Sequence, residues 1–192
     1  MSQPARVLVP ADVRRLAARV KSHRHPVRDH AIILLSFKAG LRACEIAGLD
    51  WSMVLRPDGR LDHQVAVSRH IAKNGSARRL PMHSDLKQVL ARLHFSQGAP
   101  RSGPVVRSER GCHMTARSIV NWFARLYAAA GLIGCSSHSG RRTFITRSAR
   151  LLSHTGGSLR DIQELAGHRS LSTTERYIAG DRDAQRKLIR LV

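Results

Sequence analysis

The chain has 192 residues, 42% hydrophobic and 24% charged, enough for one domain with a substantial core. No apolar run is long enough to span a bilayer and the N-terminus has no secretion-signal stretch, which sets membrane and secreted classes aside in favour of a cytoplasmic protein. Lys and Arg total 33 against 13 Asp and Glu, a net charge of +20 that suits a phosphate polyanion better than a membrane surface.

In chain order, Val13, Leu16, Ala17 and Val20 share a face of a first helix over about 11–20. The run AIILLSF marks a largely buried second helix over about 27–38, broken by Gly40. A third runs through Arg42 to Ala47. Strand character follows in Trp51 to Leu55, Leu61 to Ile71 and Arg78 to Pro81. The turns Asp58-Gly59 and Lys73-Asn74-Gly75-Ser76 join these into a small antiparallel sheet of about three strands. Leu86, Val89, Leu90 and Leu93 share a helical face, as do Ile119, Trp122, Phe123 and Leu126 on a helix that Thr115 can cap. Another helix spans about 138–152, and Gly156-Gly157 interrupts it. Ser158 with Asp161 and Ser172 with Glu175 have capping-box spacing; the second places Tyr177 about a turn and a half into a short helix. Ala184 to Val192 can form a last amphipathic helix, whose Leu188, Ile189, Leu191 and Val192 would dock on a neighbouring protomer or on their own domain. The fold class is α+β, mainly helical.

Of two tyrosines, Tyr127 follows the apolar face of its helix and reads as core. Tyr177 sits in the polar segment SLSTTERYIAG, where core packing explains it less well, though that alone does not make it a nucleophile. His138 and Arg141 lie three apart and share a helix face, a pairing suited to a phosphodiester. By themselves they fit a solvated basic face better. Arg42 lies in an apolar neighbourhood with Glu45 on its face, and a functional role and a structural ion pair fit equally. Cys44, Cys112 and Cys135 are odd in number and widely spaced, which argues against a disulfide framework. Cys135 with His138 and Cys112 beside His113 raise zinc, but no tight second pair accompanies them, so idle or buried thiols read better.

The order GLRACEI, a hairpin lysine, HSGRR, LAGHRS and then Tyr177 resembles the tyrosine recombinase (phage integrase) family from about Val9 to Ala179. The positions that match its pattern are Arg42 with Glu45, Lys73, His138 with Arg141, His168, and Tyr177 nine residues further on. The resemblance implies that Tyr177 attacks the scissile DNA phosphate and forms a 3′-phosphotyrosyl link. It implies that Arg42 and Arg141 hold the non-bridging oxygens, that Lys73 protonates the leaving 5′-oxygen, and that His138 assists proton transfer. His168 would hydrogen-bond to the phosphate and Glu45 would support Arg42. No metal, ATP or other cofactor is implied. The implied partner is double-stranded DNA, with four protomers on two sites and a monomer or weak oligomer when free.

Three departures stand out. The stretch between Arg141 and His168 is a few residues longer than usual, Arg142 occupies a position often held by His, and residues 1–192 are not expected to include the helical core-binding domain that usually precedes the catalytic domain. The chain thus reads either as a fragment or as one of the short recombinases. Residues 1–192 are therefore expected to form a single catalytic domain. The alternatives are a type IB topoisomerase-like enzyme that relaxes DNA without pairing sites, and a non-catalytic DNA-binding relative; a metal-dependent nuclease fits less well because no ligand cluster is visible.

Overall fold

Burial is concentrated on one helix. In the structure, a computed structural model, α2 (Pro26–Phe37) buries every side chain from Ala31 to Phe37. The structure describes residues 4–177 and Ile189, with Asn74 described by its backbone only. Each large apolar side chain buried in this way contributes about 1.5–3 kcal/mol. Proline at the first position of α1 (Pro10–Arg19), and again of α2, suits a site where an N–H would have no helical partner.

Around α2 lie α1, α3 (Ala43–Gly48), α4 (Ser84–Ser96) and α6 (Ser139–Thr155). On the other side of α3 is α5 (Ala116–Ala129), whose Thr115 cap accepts from the Ser118 N–H at 3.0 Å. Leu86, Val89, Leu90 and Leu93 of α4 and Ile119, Trp122, Phe123 and Leu126 of α5 are all buried, as their spacing predicts. Tyr127 is buried core as well, at 2% exposure. The approach of α6 to α2 is close enough that a Cβ on Gly140 would lie 2.1 Å from the Ser36 Oγ. Only glycine fits there, and it brings the first turn of α6 against the core.

Among the described residues the sheet has two strands. β1 (Gln64–Val67) and β2 (Arg78–Pro81) pair antiparallel, with Val65 opposite Leu80 and Val67 opposite Arg78. The expected third strand is a correction. Residues Trp51–Met53 form a 3-10 turn instead, capped by the Asp50 carboxylate, which accepts from the Ser52 N–H at 2.9 Å. That turn buries Trp51, whose indole donates to Gln97 Oε1 at 3.0 Å, and only one bridge, Leu55 to Leu61, remains of the ladder. Burying one large indole outweighed a short edge strand.

Beyond α6, Gly156 takes the left-handed conformation (φ 65°) that ends the helix. The Ser158–Asp161 capping box then opens α7 (Leu159–Ala166). For α8 (Leu171–Glu175) the cap is Ser170 rather than Ser172, so Tyr177 lies in the turn just past the helix, its N–H donating to the Thr174 carbonyl. Ile145, Ile162 and Ala166 form a second small core that joins α6 to α7, with Tyr177 packed against its edge. The terminal helix expected over 184–192 lies outside the described residues, Ile189 apart. Among the described residues no helix is long and apolar enough to cross a membrane.

Candidate active site

Three arginines and one carboxylate make the centre of the site. Arg42 is the N-cap of α3, where its N–H donates to Glu45 Oε2 at 2.9 Å and its Nη1 to Glu45 Oε1 at 3.1 Å. Glu45 is fully buried. Its second partner is Arg78 of β2, which forks onto both carboxylate oxygens at 2.8 Å each. Burial alone would push the Glu45 carboxyl up, but the bonds and charge of Arg78, then those of Arg42, hold it below the ordinary carboxylate range. Two guanidiniums against one carboxylate leave this cluster positively charged.

Arg141, on the first turn of α6, is 4% exposed and donates to two backbone carbonyls, Gly40 through Nη1 at 2.7 Å and Ala166 through Nη2. It thereby ties α6 to the break after α2 and to the end of α7. Gly40 is left-handed (φ 62°), and a Cβ on it would lie 2.5 Å from Phe144 of α6. Burial, followed by the charge of Arg42, lowers Arg141 to about 10, so it stays cationic at neutral pH.

His168 follows the left-handed Gly167 that closes α7. Its Nδ1 lies 3.0 Å from the Thr174 Oγ1 of α8, and its ring stacks on Tyr177 with centroids 5.6 Å apart and planes 20° apart. Arg142 sits on the same tyrosine, its Cζ 5.7 Å from the ring centroid. The Thr146 hydroxyl donates to the Tyr177 carbonyl at 3.4 Å. Tyr177 is half-buried and close enough to Arg141 for the two charges to interact.

Lys73 is exposed in the 3-10 turn Lys73–Gly75 at the tip of the β1–β2 hairpin. His138, the N-cap of α6, feels its charge: burial first, then Lys73, Arg141 and Arg42, lowers the imidazole pKa. His138 is therefore neutral at physiological pH and free to accept a proton.

Six side chains, Arg42, Lys73, His138, Arg141, His168 and Tyr177, are thus linked in one neighbourhood by charge and contact, with Glu45 bonded to Arg42. Arg78 was not singled out from the sequence, and Arg142 was noted there only as standing where His is often found. Arg78 and Arg79 are adjacent on a strand, and nothing in the pair marks the one that points inward. Among the described residues no group of three His, Cys, Asp or Glu side chains converges, and Cys44, Cys112 and Cys135 are free thiols.

The histidines set a pH dependence. Burial, with Arg141, Arg42 and Arg78, lowers His168 from 6.5 to about 4. The unfolded chain then binds the proton more tightly than the folded one. Stability from neutral His168 is complete above pH 6.5 and is lost as pH falls toward 4, by up to about 3 kcal/mol. His138 adds in the same direction. The melting temperature should therefore drop between pH 6.5 and 4.5, before the carboxylates titrate. His168→Gln should flatten that slope; thermal melts with equal slopes for both proteins would contradict it.

The chain belongs to the phage integrase family, whose model matches residues 6–183. Over 160 residues it is 38% identical to tyrosine recombinase XerC of Nitrobacter winogradskyi, which covers 80% of this chain and 46% of that protein. Tyrosine recombinase XerC of Bradyrhizobium diazoefficiens is 36% identical over 160 residues, with the same shares covered. The chain spans about half the length of the curated relatives it matches. Its fold is similar to that of XerA recombinase, with a TM-score of 0.75 at 22% identity over 99% of this chain and 64% of that one. It is also similar to the Tn1549 transposon integrase in complex with a circular intermediate DNA, with a TM-score of 0.74 at 20% identity over 100% of this chain and 67% of the other.

Proposed function

We propose that the chain carries the chemistry of a site-specific DNA recombinase, cleaving and rejoining double-stranded DNA through Tyr177. The observation that carries this reading is the grouping of Arg42, Arg141, Lys73 and His138 with a tyrosine held against His168. The Tyr177 oxygen attacks the scissile phosphorus while the phosphorus–O5′ bond breaks. The phenol proton passes to neutral His138, and Lys73 supplies the proton taken by the 5′-oxygen. Arg42 and Arg141 hold the non-bridging oxygens, where preorganised cations stabilise the charge of the five-coordinate transition state. His168 hydrogen-bonds to the phosphate through the nitrogen that does not face Thr174. The phosphotyrosyl bond conserves the energy of the broken bond, so a second 5′-hydroxyl can reverse the steps and reseal a strand.

The relatives support this reading by name, and the integrase and lambda integrase structures hold DNA in their own cases. The net charge of +20 suits that partner. The same proposal includes four protomers on two DNA sites, which native mass measurement of the DNA complex would remove if it found only single protomers on single duplexes.

The chemistry is tested with nicked duplexes of randomised sequence, so that the cognate site need not be known beforehand. Covalently labelled protein should accumulate in the presence of EDTA, and the captured DNA identifies the site. Protein that stays unlabelled at saturating DNA would defeat the proposal.

A further inference from the structure

Arg78 is as buried as the residues around it, with a side chain 6% exposed, yet none of the roles above uses it. Its guanidinium makes three bonds, all to neighbouring elements: two to Glu45 of α3 at 2.8 Å and one, from Nε, to the Leu165 carbonyl of α7 at 3.0 Å. The next carbonyl, that of Ala166, accepts from Arg141. Two guanidiniums therefore meet the unpaired carbonyls at the negative end of α7, the helix that leads into His168. Gly167 allows this, because a Cβ there would lie 2.9 Å from the Arg78 Cδ.

The division of Glu45 between its partners carries the inference. A carboxylate can accept a complete fork from only one guanidinium at a time. Arg78 has that fork, so Arg42 is left with one bond from Nη1 at 3.1 Å. Its Nε and Nη2 donors are not drawn onto the carboxylate. If Arg78 were absent, Glu45 would be a fully buried anion with Arg42 as its remaining hydrogen-bonded cation, and a bidentate pair between the two would be the favoured geometry. Arg42 would then turn away from any bound phosphate.

We infer that Arg78 is a positioning residue for strand cleavage: it occupies both oxygens of Glu45, so that Arg42 keeps its guanidinium for a non-bridging phosphate oxygen. It also sets β2, α3 and the His168 turn in one register, since a single planar group bonds to two of them from the third. This rests on the phosphoryl-transfer reading proposed above.

The test uses the full chain and the DNA site captured by the wild type. Arg78→Lys keeps the charge but cannot fork onto two oxygens. Single-turnover cleavage of the nicked duplex at saturating DNA should fall roughly 10- to 100-fold, the scale of misplacing a reacting group by about 1 Å. DNA affinity should stay close to wild type, while the melting temperature should fall because part of the buried fork on Glu45 is lost, so cleavage is read per folded protein. The second arm replaces one non-bridging oxygen of the scissile phosphate with methyl, giving a neutral methylphosphonate that needs less cationic stabilisation. On that substrate the gap between Arg78→Lys and wild type should narrow, whereas a merely structural defect would keep it unchanged. If Arg78→Lys does not fold, Arg78→Gln is read in the same two ways. Wild-type cleavage by the folded variant, or an equal gap on both substrates, would overturn the inference. Absence of adduct with the wild-type chain would instead count against the functional reading itself.

Discussion

Tyr177→Phe should abolish covalent capture of nicked DNA while leaving duplex binding and melting temperature nearly unchanged. The substitution removes one oxygen from a half-buried ring and keeps the faces that meet His168 and Arg142. What it loses is the only atom of that side chain able to bond to phosphorus. Tyr127→Phe is the matched control. Tyr127 is 2% exposed on α5, stacked on Phe123 at 5.6 Å, and burial drives its phenol well above the ordinary value. It can reach neither DNA nor the ionised form, so its loss should not reduce adduct. Its hydroxyl has no hydrogen-bond partner among the described residues, so Phe there should be neutral or slightly stabilising. The measurement is adduct per folded protein after denaturing electrophoresis. Adduct formed by Tyr177→Phe would show that another residue is the nucleophile.

How far the sequence alone leads depends on whether a feature is local. The helices around α2 were legible because an apolar face at helical spacing is written in neighbouring residues, and all eight positions named on α4 and α5 are buried. The two-stranded sheet was overcounted because Trp51 turns inward on an Asp50 cap, a choice decided by the Gln97 side chain 46 residues away. Ser172 and Glu175 have the spacing of a capping box, but the helix is capped two residues earlier, at Ser170, which moves Tyr177 off its end. In the site, Arg42 and Glu45 could be paired from their spacing along one helix. Arg78 could not, because its partners Glu45 and Leu165 lie 33 residues before it and 87 after. The long segment between Arg141 and His168 is absorbed as the last turns of α6, the Gly156 stop and the α7 cap, which leaves both ends bonded to the same core.

Arg141→Ala should cost both stability and chemistry, and the two losses can be separated. Its guanidinium is the shared partner of the Gly40 and Ala166 carbonyls, one at each end of the connection that frames the site. Removing it orphans two buried acceptors, each worth about 1–3 kcal/mol when left unpaired, and opens a cavity beneath His168. It also removes the repulsion that Arg42 and Arg78 exert on Arg141, which offsets part of that loss. The chemical loss that the proposed role implies is separate: one fewer preorganised cation at a non-bridging oxygen should lower the cleavage rate by about 10²–10³. Arg141→Lys divides the two, since an ammonium restores positive charge but cannot span two carbonyls that sit on different elements. Urea unfolding should therefore show both variants destabilised, Lys less than Ala. Single-turnover cleavage at a temperature where both are folded should follow the order wild type, Lys, Ala. If folded Arg141→Ala cleaved within tenfold of wild type, Arg141 would be a brace between α2, α6 and α7 and not a phosphate ligand, and the positive charge at the transition state would have to come from Arg42 and Lys73 alone.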